Sequence, residues 1–75
     1  MTEINAVLAE TYADIAINAY DEHNIQKASI YWNKIYDLNL ELSKLSNVMK
    51  LFSDEQVYVI TDYLRKQHYK EQNLL

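Results

Sequence analysis

The sequence predicts an all-α fold, a small three-helix antiparallel bundle with a long central second helix, on three observations. First, the 75 residues include no glycine and no proline, where average usage of about 7% and 5% would supply roughly nine. Tight glycine hairpins and most β-rich folds depend on those residues. Second, hydrophobic residues make up 49% of the chain and charged residues 24%, enough apolar material to exclude a disordered chain. Third, apolar residues recur at helical spacing in three successive stretches. At this length the chain is one domain, residues 1–75, able to bury only about 60% of its unfolded surface.

The first helix is expected over about residues 3–20. Thr2 can cap it and Glu3 suits its first turn. Ile4, Leu8, Tyr12, Ile15 and Ala19 fall on one face at about 100° per residue, and five alanines (Ala6, Ala9, Ala13, Ala16, Ala19) favour helix throughout. The polar cluster Asp21-Glu22-His23-Asn24 marks the first turn. Without glycine, Asn24 is the natural residue there for a left-handed position or an N-cap.

The second helix is expected over about 25–51. Tyr31, Ile35, Leu38, Leu42, Leu45, Met49 and Phe52 follow a 4-3-4-3-4-3 spacing, the seam of three heptads. At 1.5 Å per residue this helix would be about 40 Å long. Ser46-Asn47 is its weakest point, where helix propensity falls. The third helix is expected over about 54–71. Ser53 and Gln56 form a capping box, Phe52 and Val57 stand at staple positions, and Val57, Ile60 and Leu64 form the core stripe.

Ala19-Tyr20, a short polar turn, then Ala28, Trp32 and Ile35 resemble the middle of a tetratricopeptide repeat. In that family a small residue on the second helix packs on the first, with an aromatic four residues later. The resemblance covers about 20 residues in a single copy, without the family's glycine and closing proline. It implies that the first two helices pack as a hairpin.

Composition removes several kinds of chemistry. With no cysteine there is no disulfide framework, thiolate zinc site or cysteine nucleophile, and with no glycine there is no P-loop or Rossmann turn. His23 and His68 are the only histidines, and neither a Glu-x-x-His nor a His-x-x-x-His spacing occurs. Glu10 and Asp14 are better read as part of a solvated acidic ridge than as a cation site. Ser29, Ser43, Ser46 and Ser53 have no adjacent histidine and carboxylate. No catalytic, cofactor-binding or metal-ligating residue is assigned, and the reading is that the chain is not an enzyme.

Net charge is −4, which argues against a nucleic-acid binder. Residues 1–24 carry five acids and no base, while residues 25–52 carry Lys27, Lys34, Lys44 and Lys50 against Asp37 and Glu41. The acidic first segment is therefore expected beside the basic second. No basic n-region precedes an apolar run, and no run is long enough to span a membrane, so a cytoplasmic location is expected.

The apolar residues exceed what three single stripes can hide. Ile25, Trp32, Tyr36 and Leu40 form a second stripe on the second helix. Ile17 and Tyr20, with Ala6 and Ala13, lie opposite the first helix's expected core face. A helix apolar on two faces is either central to its bundle or covered by another chain. Trp32, with its large apolar body and polar tip, is the first choice for an interface anchor, with a core position as the alternative. The functional expectation is a non-enzymatic protein–protein interaction module, a small self-associating regulator or inhibitor docking on a larger protein, of the kind bacteria and their phages encode. Its protein-binding residues would be Ile25, Trp32, Tyr36, Leu40, Ile17 and Tyr20, and a two-fold homodimer is expected. The alternatives are a small DNA-associated protein using Arg65, Lys66 and Lys70 with Tyr58 and Tyr69, or a purely structural self-assembling subunit.

Overall fold

The computed structural model describes residues 2–73. It contains four helices: α1 (Thr2–Asp21), α2 (Ile25–Asp37), α3 (Leu42–Met49) and α4 (Asp54–Asn73). No strand occurs among the described residues. The all-α class stands; α2 packs against α1 and α4, and α1 packs against α2 and α3. The three-helix count and the long second helix do not stand. The expected 25–51 helix is two helices, and α1 and α4, at 20 residues each, are the longest.

The hairpin between α1 and α2 is closed by backbone chemistry without glycine. His23 takes the left-handed conformation at φ 64°, a region where histidine is enriched among non-glycine residues. The Asn24 N–H then donates to the Ala19 carbonyl at 2.8 Å, the long bond of a Schellman motif. Asn24 also caps α2, its side-chain oxygen accepting from the Lys27 N–H at 3.2 Å. Of the two roles the sequence offered for Asn24, the structure gives it the N-cap, and the left-handed residue is its neighbour His23. The capping role read for Thr2 lies outside the described side chains.

The second helix breaks at residues 38–41, not at Ser46-Asn47. Asn39 is left-handed at φ 54°, and its N–H donates to the Tyr36 carbonyl at 3.2 Å. Glu41 is extended at ψ 148°, so the chain restarts as α3 with a new rotational phase. That break undoes the continuous heptad. Ile35 and Phe52 are buried, and Tyr31, Leu38, Leu45 and Met49 pack against the core. Leu42 opens α3 with 82% of its surface exposed.

The register of α1 is shifted from expectation, although Tyr12 and Ala19 of the expected stripe do face the core. Its buried face is Ala9, Ala13, Ala16 and Ala19, whereas Ile4, expected in the core stripe, is 68% exposed. Small residues on α1 let α2 approach closely, and the bulk comes from the other side as Trp32 and Ile35, with Ala28 between. This is the hairpin that the repeat resemblance implies. Length explains the exposed end. α2 spans about 20 Å against about 30 Å for α1, so from the shared turn it stops short of Ile4 and Val7.

The entry to α4 matches the sequence. The Gln56 N–H donates to Ser53 Oγ at 3.1 Å and the Ser53 N–H to Gln56 Oε1 at 2.8 Å, a reciprocal capping box. Phe52 is buried with Val57 packed against the core, completing the staple, and Ile60 is fully buried. Ser53→Ala should therefore cost about 1 kcal/mol and lower the urea midpoint, while Ser43→Ala, on the exposed surface of α3, should leave it unchanged. Equal midpoints for the two variants would mean that the cap does not hold α4.

Candidate interaction surface

The molecule measures 40 × 27 × 17 Å. Its shortest extent has room for no more than two layers of helices at the usual spacing of about 8–10 Å, so each helix keeps an outer face without a partner helix.

Of the six residues expected to bind protein, the structure leaves only Tyr36 exposed. Trp32 is 6% exposed, its ring edge-on to Phe52 at 5.0 Å and tilted against Tyr36 at 5.9 Å. Its large apolar body fills the space beside Phe52, so of the two roles the sequence left open the structure gives it the core one. Ile17, Tyr20 and Leu40 are half-buried against the same core, and Ile25 is half-buried at the start of α2. The Tyr20 hydroxyl donates to Glu55 Oε1 at 3.0 Å, tying the end of α1 to the start of α4. Partial burial, and after it the accepting carboxylate, push that hydroxyl above a tyrosine's ordinary value. The second stripe of α2 is thus largely covered by the chain itself.

The acidic α1 does lie beside the basic α2, yet no ion pair joins them among the described residues. Lys34 sits over two rings, 6.0 Å from the centroid of Tyr12 and 5.8 Å from that of Tyr31. Those rings are themselves 5.7 Å apart, so the ammonium gains aromatic faces instead of a carboxylate.

The most organised exposed surface is on α4. Tyr58, Asp62, Arg65 and Tyr69 follow one another at 4-3-4 spacing, which places them on one face. That face is opposite the buried Ile60 and the core-packed Leu64. Tyr58 is 68% and Tyr69 61% exposed. Between them Asp62 accepts from Arg65 and pairs with Lys66 at 3.0 Å. Hydrogen bonds from Lys66 and then Arg65 hold the Asp62 carboxyl below its ordinary pKa. A shallow open depression of about 310 Å³ is lined by Tyr58, Thr61, Asp62 and Arg65. The sequence reading grouped Tyr58 and Tyr69 with the bases and omitted Asp62. The signal it lacked was the same 4-3-4 spacing that it followed on α2.

Among the described residues no group of three His, Cys, Asp or Glu side chains could hold a metal ion, and no helix is long and apolar enough to cross a membrane. No family model, curated protein or solved structure matches the chain.

Proposed function

We propose that this chain is a non-enzymatic protein–protein interaction module that associates with itself, a small regulator or inhibitor acting in the cytoplasm by docking on a larger protein. The observation that supports this reading is the distribution of large apolar side chains. Among the described residues the large buried apolar side chains are few, Trp32, Ile35, Phe52 and Ile60 with Val48, while Ile4, Val7, Leu42, Tyr58 and Tyr69 are all mostly exposed. A monomer of this size gains stability by covering such surface with a second chain. Sedimentation equilibrium from low micromolar concentration upward tests self-association. The expected result is a mass rising above 8.9 kDa toward twice that value. A monomer at every concentration refutes self-association and leaves docking on a different protein to stand alone.

The DNA-associated alternative draws on Arg65 and Lys66, both well exposed on α4. Asp62 sits between those two bases and cancels part of their field, and the chain's net charge of −4 opposes approach to phosphate.

A further inference from the structure

Resting on the self-association proposed above, we infer that the outer face of α4 is the two-fold seam, and that its occupant is the α4 of a second, antiparallel copy. The argument begins with symmetry. In a two-fold interface, if residue i meets residue j, then j meets i. The exposed stripe of α4 satisfies that condition by its own order. Tyr58 and Tyr69 are equally far from the midpoint of the stripe, between Tyr63 and Leu64, and so are Asp62 and Arg65. When two copies of α4 lie antiparallel about that midpoint, each Tyr58 meets a Tyr69 and each Asp62 meets an Arg65.

Charge complementarity selects a second copy of this chain over an unrelated partner. Within each copy Asp62 already pairs with Arg65 and Lys66; in the antiparallel arrangement the two Asp62–Arg65 pairs face each other in reversed order, so each guanidinium is shared between its own carboxylate and the facing one. A parallel pairing would instead set Asp62 on Asp62 and Arg65 on Arg65. Charged residues at two central seam positions fix register and orientation at some cost in affinity. The flanking tyrosines supply apolar area with a polar tip, and their rings gain from edge or offset contact. Each tyrosine is already well exposed, so the seam can form without opening the core. Lys66 lies on the flank of the seam.

A single pair of helices about 30 Å long lies at the small end of specific interfaces, so association in roughly the micromolar range follows.

The chain allows a complementation test by sedimentation equilibrium, with circular dichroism confirming helix content. Asp62→Arg alone sets Arg against Arg65 across the seam, and Arg65→Asp alone sets Asp against Asp62. Each variant by itself should associate about tenfold or more weakly than the parent, since facing like charges oppose pairing. An equimolar mixture of the two should recover the parent's association, because both facing pairs are then complementary. If Asp62→Arg loses helix, Tyr58→Glu mixed with Tyr69→Lys carries the same test at the outer layers. A parent that stays monomeric overturns both the seam and self-association. A dimeric parent whose single variants remain dimeric overturns the seam alone, as does a mixture that fails to recover. A monomeric parent that binds a DNA duplex, and loses that binding in Arg65→Asp, assigns the face to nucleic acid instead.

Discussion

Trp32→Ala is expected to remove about 3–5 kcal/mol of stability, a large share of what the domain has. Trp32 is nearly fully buried and packs edge-on against Phe52, so truncation removes its transfer free energy and leaves a cavity in a small core. Such substitutions cost about 3–5 kcal/mol, while the total stability of a 75-residue domain is on the order of 4–11 kcal/mol. Urea denaturation followed by far-ultraviolet circular dichroism checks this without relying on the fluorophore that is removed. Tyr36→Ala, on the adjoining exposed edge, should shift stability by no more than about 0.5–1 kcal/mol. A Trp32 variant as stable as the parent would mean that the ring is not in the core. The same placement means that a charged residue at Trp32 would report on folding before it reported on association.

Ile35→Ala should cost about 2–5 kcal/mol, and Leu42→Ala should remain within about 0.5 kcal/mol of the parent. A continuous heptad puts both residues on one seam and makes the two costs similar. The structure separates them, with Ile35 fully buried and Leu42 82% exposed. Denaturant midpoints of the two variants decide between one long helix and the α2–α3 break at Asn39. A large loss at Leu42 would restore the long helix, or would place Leu42 in an interface between copies if the loss depended on protein concentration.

These contrasts show where the sequence was informative. Local signals were read correctly because the groups that satisfy them are near neighbours. Ser53 and Gln56 cap each other three residues apart, and Asn24 caps α2 with its own side chain. Val57, Ile60 and Leu64 form one stripe on an uninterrupted helix, and all three contribute to the core. Absence of glycine and proline made a helical chain the expectation, and the described residues fold as helices.

The α1 face, the α2 break and the position of Trp32 depend on what lies across the gap, and spacing along one helix does not contain that. Ala9, Ala13 and Ala16 look unremarkable beside Ile4 and Leu8 until a helix bearing Trp32 and Ile35 packs against them. Small residues then become the buried face because they allow close approach, and Ile4, with Val7, ends up beyond the reach of the shorter α2. Asn39 has a modest helix propensity and no glycine beside it. Its left-handed turn becomes favourable once the redirected chain can lay Leu45 and Val48 on the core and bring Phe52 against Trp32. The sequence by itself determined the class, the hairpin and the caps, since those depend on contacts within a few residues. The tertiary structure alone decided which apolar face is inside, because burial is a relation between two surfaces and a helix records only one of them.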